Sequence, residues 1–139
     1  MLTTELIHPP ILAALAAAGH GSRVLIADGN YPAATARNPL AALVHLNLRP
    51  GVLTVDEILD PLLTAVVIES AAVMSPPDRR PVAAHAGFQA AMPGVEIVQL
   101  DREPFYAESR GGDVALVIAS GDRRAYANLL LTIGVTPQL

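Results

Sequence analysis

The chain has 139 residues, of which 52% are hydrophobic and 16% are charged, with a formal net charge of −4. This length fits a single domain spanning residues 1–139, and the shortage of charged residues predicts that copies of the chain bury surface against one another. The nine Lys and Arg residues do not cluster, which argues against a nucleic-acid partner. Because there is no cysteine, disulfides and thiolate chemistry are excluded.

The sequence carries no membrane or export signal. Residues 1–10 contain no basic segment and no signal-type apolar stretch. No apolar run approaches the roughly 18–20 residues that a membrane span needs. We therefore expect a cytoplasmic protein without a membrane partner.

The first predicted elements are a helix and a buried strand. Pro9 and Pro10 suit the first turn of a helix, residues 11–18 are rich in Ala and Leu, and Gly19 suits its end. Residues 23–27 form a continuous apolar run after one Arg, which is typical of a strand buried on both faces.

The middle and the end of the chain alternate between the two kinds of element. Thr54 and Glu57 form a capping-box pattern before a predicted helix at residues 58–65, in which Pro61 indicates a kink. Further strands are predicted at residues 43–48, 66–74, 95–100, 114–119 and 128–133, and further helices at residues 79–91 and 103–110. This order predicts a three-layer α/β/α sandwich around a mixed, largely parallel sheet.

Four polar clusters lie just beyond the ends of predicted strands. They are Gly-His-Gly at residues 19–21, Asp-Gly-Asn-Tyr-Pro at 28–32, Asp-Arg at 101–102 and Tyr-Ala-Asn at 126–128. In open α/β sheets, residues beyond the strand ends often form the ligand site. The residues alone therefore predict a site for a small polar ligand.

Each candidate residue also has a plainer interpretation. His20 is the natural proton-transfer group near neutral pH, but Gly-His-Gly could be only a helix exit with a solvated histidine. Asp28 could be an ordinary turn residue, and Arg102 an exposed charge. Tyr126 could be a core aromatic residue, and Asn128 could cap a strand end.

Other common site patterns are absent from the sequence. His8, His45 and His85 fit core or surface positions better than ligand positions, and no histidine spacing typical of a metal site occurs. The glycines form neither a dinucleotide fingerprint nor a P-loop, and there is no Gly-x-Ser-x-Gly elbow. The sequence therefore predicts neither a metal nor a cofactor.

Two separated segments carry a family resemblance. Residues 17–32, Ala-Ala-Gly-His-Gly-Ser-Arg-Val-Leu-Ile-Ala-Asp-Gly-Asn-Tyr-Pro, resemble the signature of the D-ribose pyranase and L-fucose mutarotase family. Arg-Glu-Pro-Phe-Tyr at 102–106, Val-Ile-Ala-Ser-Gly at 117–121 and Tyr-Ala-Asn-Leu-Leu-Leu-Thr-Ile-Gly-Val at 126–135 resemble its closing segment. The resemblance spans nearly the whole chain.

The resemblance implies a monosaccharide mutarotase that opens and closes a sugar ring by general acid–base catalysis. It also implies a compact α/β fold, a ring-shaped homo-oligomer that is often a decamer, and a site completed by a neighbouring subunit. By position, it assigns catalytic roles to His20, Asp28 and Tyr126 and sugar-binding roles to Asn30, Arg102 and Asn128. Among these, His20 is the main proton-transfer residue.

The resemblance is mixed between the two branches of the family. Arg102 and Tyr106 resemble the L-fucose type, whereas residues 46–51 resemble the D-ribose type. Ser22 replaces an acidic residue of the fucose type, and residues 73–87 form a shorter segment than is usual. We expect L-fucose or a related sugar as the substrate; the alternatives are a D-ribose pyranase and a non-catalytic sugar-binding or transport-associated protein.

Overall fold

The computed structural model describes residues 1–138, in which helices and strands alternate much as the sequence predicts. The elements are α1 (Pro9–Ala17), β1 (Arg23–Ala27), β2 (Ala42–His45), α2 (Val55–Leu63), β3 (Ile68–Met74), α3 (Ala83–Ala91), β4 (Glu96–Leu100), α4 (Arg102–Ser109), β5 (Val114–Ala119) and β6 (Leu129–Ile133). In residues 1–138, no helix is both long and apolar enough to cross a membrane.

The six strands form one mixed sheet in the order β2-β5-β1-β6-β3-β4. Strand β5 runs parallel to β1 and β2, and β4 runs parallel to β3. Strand β6 lies between β1 and β3 and is antiparallel to both. The predicted mixed, largely parallel sheet is therefore confirmed.

The sheet is covered on both faces, which explains why its central strands are apolar throughout. Helices α1, α2 and α3 pack on one face, where Ile11, Leu59 and Phe88 are fully buried. Helix α4 and the loop at residues 31–41 cover the other face through Phe105 and Tyr31. These three layers match the predicted sandwich, although a loop forms much of the thinner layer.

Helix α2 begins as its sequence pattern predicts. The Thr54 hydroxyl accepts a hydrogen bond from the Glu57 backbone N–H at 3.2 Å, and the Glu57 carboxylate accepts one from the Thr54 N–H at 2.8 Å. The helix ends at Leu63 rather than at residue 65. Pro61 lies inside its last turn and has no N–H to donate, which favours an early end.

Other boundaries differ from the predictions for local reasons. Helix α3 begins at Ala83, four residues later than predicted, because Arg79 has a left-handed φ of 59° and Pro81 cannot donate a backbone hydrogen bond. Strand β2 ends at His45 rather than at residue 48. Residues 48–52 turn instead, with the Leu48 N–H bonded to the Val52 carbonyl.

Candidate functional site

A cavity of about 240 Å³ lies at the edge of the sheet where β1 and β3 end. Its lining includes five residues predicted for the site: Asp28, Asn30, Arg102, Tyr126 and Asn128. The topology explains this convergence. Because β6 is antiparallel to β1 and β3, the residues just before it lie beside the residues just after those strands. The amino end of α4 follows β4 at the same edge.

Asp28 is the buried carboxylate of this cavity, with 4% of the residue exposed. Its Oδ1 accepts hydrogen bonds from the backbone N–H groups of Asn30 at 2.9 Å and Tyr31 at 3.0 Å. Burial raises the pKa of the Asp28 carboxyl, and these backbone hydrogen bonds offset only part of that effect. The carboxyl is thus placed to bind a hydroxyl and to exchange a proton with it.

Asn128 fixes the position of Asp28 from the other side. Its Oδ1 accepts a hydrogen bond of 2.8 Å from the Asp28 backbone N–H, and only 4% of Asn128 is exposed. Asn128 therefore acts partly as a residue that caps a strand end, which is one of the two interpretations of its position in the sequence. Asn128 also lines the cavity.

Gly29 allows the loop after β1 to lie close to the loop after β5. A Cβ at this position would stand 2.9 Å from the Asp122 carbonyl oxygen, which accepts a 2.8 Å hydrogen bond from the Gly29 N–H. The buried Asp122 carboxylate is itself bound by the Val55 N–H and by Arg124. Arg124 also pairs with Asp56 of α2. Through Asp122, the loop that carries Asp28 and Asn30 is therefore connected to the amino end of α2.

An aromatic stack forms one side of the cavity. The Tyr31 and Tyr106 rings are stacked with centroids 5.1 Å apart and an interplanar angle of 12°. The Arg102 guanidinium lies 5.6 Å from the Tyr106 ring centroid, in a cation–π arrangement. Neither Tyr31 nor Tyr106 was among the residues predicted for the site. The spacing between Arg102 and Tyr106 on a helix, i to i+4, is the signal that places both on one face.

Tyr126 is held in a strained backbone conformation. Its φ of 62° is left-handed, which is uncommon for a residue with a large side chain. The His85 Nε2 lies 2.8 Å from the Tyr126 carbonyl oxygen, and the Arg80 guanidinium lies 5.4 Å from the ring centroid. Burial lowers the pKa of His85. His85 thus supports the site, a role that its helical pattern does not reveal.

His20 lies outside this cavity in the same chain. It precedes β1, whereas Asp28 follows β1, and a strand of five residues at about 3.3 Å each separates them by about 17 Å. The His20 Nε2 is 3.0 Å from Oε2 of Glu69, which is the second residue of β3. One chain therefore brings together five of the six predicted residues, whereas His20 lies beyond the opposite end of β1.

The described residues hold no group of three or more His, Asp or Glu side chains that could bind a metal ion. The groups that line the cavity are instead a carboxylate, a guanidinium, phenols and amides. Such groups bind hydroxyl-rich ligands through directed hydrogen bonds.

An α/β sheet with polar groups converging at its strand ends defines a protein with a site for a small polar ligand. A sequence model of the RbsD / FucU transport protein family matches residues 1–136, and the chain belongs to this family. The D-ribose pyranase of Paracidovorax citrulli is 32% identical over 136 residues, which are 98% of this chain and 99% of that protein.

Two solved structures share the fold. Bacillus subtilis RbsD, solved in complex with D-ribose, has a TM-score of 0.84 at 22% identity and covers 99% of this chain and 100% of its own. The fucose mutarotase of Streptococcus pneumoniae, solved in complex with L-fucose, has a TM-score of 0.84 at 25% identity, with the same coverage. The predicted family and the predicted α/β fold are thus confirmed.

Proposed function

We propose that this protein is a cofactor-independent mutarotase that interconverts the anomers and ring forms of a free monosaccharide. The observation that carries the proposal is the cavity in which Asp28, Asn30, Arg102, Tyr126 and Asn128 converge. The names of the relatives support it, since one is a D-ribose pyranase and another is a fucose mutarotase.

The reaction needs two proton transfers. One group takes the proton from the anomeric hydroxyl, the C1–O5 bond breaks to give the open aldehyde, and a second group gives a proton to O5. Rotation about the C1–C2 bond and closure by the reverse steps give the other anomer. We assign the first transfer to His20 and the second to Asp28, whose raised pKa favours the protonated carboxyl. The Tyr126 hydroxyl shares in this transfer, while Asn30, Arg102 and Asn128 orient the hydroxyls.

In this proposal, His20 reaches the cavity from a second copy of the chain. His20 and Asp28 lie at opposite ends of β1, so one chain alone does not join them. The cavity beside His20 is bordered by Val135, an apolar residue that is 62% exposed. A neighbouring subunit would cover such a surface. The assembly that we propose is a closed homo-oligomer, with a ring and a decamer as the expected forms.

For the sugar, we propose L-fucose or a related 6-deoxy sugar. Met74 and Tyr106 give the cavity an apolar wall next to its polar groups. The methyl group on C5 of a 6-deoxy pyranose can pack on such a wall, whereas ribopyranose has no carbon outside its ring at C5. D-ribose is the second candidate, because a relative 32% identical over 98% of this chain is a D-ribose pyranase.

The test is anomer exchange measured by NMR saturation transfer on L-fucose, D-ribose and other free sugars. We expect the protein to accelerate exchange of one of these sugars. His20→Asn should lower that rate by about 10²–10⁴-fold while sugar binding persists. His8→Asn is the matched control, because His8 caps α1 and asparagine also caps helices well. Binding without any accelerated exchange would favour a transport-associated sugar-binding protein instead.

The shared site has its own test. His20→Asn and Asp28→Asn variants should each be inactive alone, but co-expressed in one oligomer they should recover part of the parent activity. In the mixed oligomer, some sites combine an intact His20 from one copy with an intact Asp28 from another. If verified mixed oligomers recover no activity, the shared site is contradicted. A protein that is monomeric in light scattering would contradict it as well.

A further inference from the structure

We infer that His85 is a positioning residue for the site: its imidazole holds the peptide group between Tyr126 and Ala127, and the other side of that peptide group faces Asp28. This inference rests on the proposed function, in which Asp28 and Tyr126 share a proton transfer. The signature segments and the polar clusters of the sequence do not include His85. His85 does not line the cavity, so it acts on the site through the peptide group.

The contact between His85 and the Tyr126 backbone is direct. The His85 Nε2 lies 2.8 Å from the Tyr126 carbonyl oxygen. A carbonyl oxygen only accepts hydrogen bonds, so Nε2 carries the proton and donates it to this contact. Both the neutral Nε2–H form and the imidazolium form of His85 can donate in this way. The contact therefore does not depend on the charge of His85.

The peptide group between Tyr126 and Ala127 connects His85 to Asp28. Its carbonyl oxygen accepts the hydrogen bond from His85, and its N–H, which belongs to the fully buried Ala127, donates to the Asp28 carboxyl. Burial raises the pKa of this carboxyl, whereas backbone hydrogen bonds, that of Ala127 among them, lower it. The C=O and N–H of a peptide group lie in one plane, so a bond that fixes the carbonyl also fixes the direction of the N–H.

The left-handed backbone of Tyr126 makes this restraint important. A φ of 62° is uncommon for a residue with a large side chain, and glycine would adopt it at lower cost. A change in the ψ angle of Tyr126 would turn its carbonyl away from His85, so the hydrogen bond opposes such a change. The Arg80 guanidinium, 5.4 Å from the ring centroid, holds the side chain. Residues 80–85 therefore restrain both the backbone and the ring of Tyr126.

The other anchors of the connection between β5 and β6 act near its ends. The Asp122 carboxylate, bound by Arg124, fixes its beginning, and Asn128 fixes its end. Among residues 1–138, His85 is the only hydrogen-bond donor to the Tyr126 carbonyl. Loss of the imidazole would therefore release the middle of the connection while both of its ends stay in place.

The pKa of Asp28 can report the direction of the Ala127 N–H. Several other charged or titratable groups of the same chain lie near the Asp28 carboxyl. They are Asp122, Tyr31, Arg102, Tyr106 and Tyr126. In the proposed oligomer, His20 of a second copy joins them. These groups remain the same when His85 is replaced, so two uncharged replacements of His85 that differ in Asp28 pKa differ in the orientation of the peptide group.

The test compares His85→Met with His85→Gln, two unbranched side chains of similar shape, of which only Gln can donate a hydrogen bond. The Asp28 carboxyl is titrated by ¹³C NMR and assigned with Asp28→Asn. We expect the Asp28 pKa to be higher in His85→Met than in the parent, because the Ala127 N–H no longer points at the carboxylate. In His85→Gln it should stay close to the parent value.

Gln89→Met is the matched control on the same helix. Gln89 lies one turn beyond His85 on α3, and its side chain donates to the carbonyls of Met92 and Val95. Its replacement removes hydrogen bonds at the far end of α3 and should lower the unfolding temperature. It should leave both the Asp28 pKa and kcat unchanged, which separates positioning from a general loss of stability.

Kinetics provide the second readout. In His85→Met we expect kcat for sugar exchange to fall by about 10–100-fold, since a misplacement of about 1 Å at a reacting group costs about 10²-fold. In His85→Gln most of that loss should be restored. An Asp28 pKa that is the same in His85→Met as in the parent, or equal kcat values in the two variants, would overturn the inference. If the parent exchanges no sugar, the proposed function fails, and the titration still decides whether His85 orients the peptide group.

Discussion

The side chain of Asn128 accepts a 2.8 Å hydrogen bond from the backbone N–H of Asp28, a residue 100 positions earlier in the chain. This bond joins the residue before β6 to the residue after β1 and closes the base of the cavity. Both residues are 4% exposed, so no water can replace the bond without a rearrangement.

Replacing Asn128 by Ala should therefore affect stability as well as sugar binding. An unpaired buried N–H costs about 1–3 kcal/mol, and we expect the free energy of unfolding to fall by that amount in urea denaturation. Asn47→Ala is the control, since Asn47 is exposed and should leave the unfolding midpoint unchanged. Equal midpoints for both variants would mean that the Asp28 N–H finds another partner.

Asp28→Asn should remove activity. It should also make the variant more stable relative to the parent at pH 7 than at pH 4. Burial raises the folded-state pKa of Asp28 above its ordinary value of 3.8. Between the unfolded and folded pKa values, the folded state binds more protons, so stability falls as pH rises through this window. Asparagine does not ionise, and the stability of the variant relative to the parent should increase from pH 4 to pH 7.

Asp78→Asn is the control for this experiment, because the pKa of Asp78 is shifted in the opposite direction from that of Asp28. Hydrogen bonds from the Arg80 backbone and side chain lower the pKa of the exposed Asp78 carboxyl. This group stabilises the folded state above the unfolded pKa, so its loss should not stabilise the protein at pH 7. Thermal unfolding at the two pH values checks both variants. A relative stability of Asp28→Asn that decreases toward pH 7 would contradict the burial argument.

Tyr126→Phe tests the role of the Tyr126 hydroxyl separately from the role of the aromatic ring. The substitution keeps the left-handed backbone, the cation–π contact with Arg80 and the packing, so the unfolding temperature should change little. If the hydroxyl moves a proton, kcat should fall by about 10²-fold or more, at the lower end of acid–base contributions. Tyr106→Phe, which removes the other phenol of the cavity, should lower kcat much less. Equal effects of the two substitutions would assign Tyr126 a binding role only.

Arg124→Met should destabilise the protein most at neutral pH. Burial alone would raise the pKa of Asp122, but hydrogen bonds from Arg124 and from the backbone of Val55 outweigh it and lower that pKa. The stabilisation is therefore present above the ordinary pKa and is lost as pH falls through the folded value. Because the Arg124 side chain is 41% exposed, solvent screens part of the interaction, and we expect a loss of about 1–2 kcal/mol at pH 7.

Arg123→Met is the matched control for this prediction. Arg123 is the exposed neighbour of Arg124, and it forms no ion pair within residues 1–138. Its replacement should leave the free energy of unfolding unchanged in urea titrations at pH 3 and pH 7. A loss in Arg124→Met that is as large at pH 3 as at pH 7 would mean that packing, rather than charge, is responsible.

Local patterns determined most of the secondary structure. The Thr54–Glu57 capping box, the apolar runs of β1 and β5 and the prolines before α1 act through contacts between residues close in sequence, so they can be read without the fold. The late start of α3 was missed because Arg79 adopts a left-handed φ, which its residue type does not indicate.

The residue types of the site were also readable, because acid–base and hydroxyl-binding chemistry needs His, Asp, Arg, Tyr and Asn whatever the fold. Which of them meet was decided only by the tertiary structure. The antiparallel direction of β6 brings Asn128 to Asp28, and the direction of β1 carries His20 to the opposite end of the sheet, beside Glu69. Strand direction depends on pairing between segments far apart in sequence, and no local pattern encodes it.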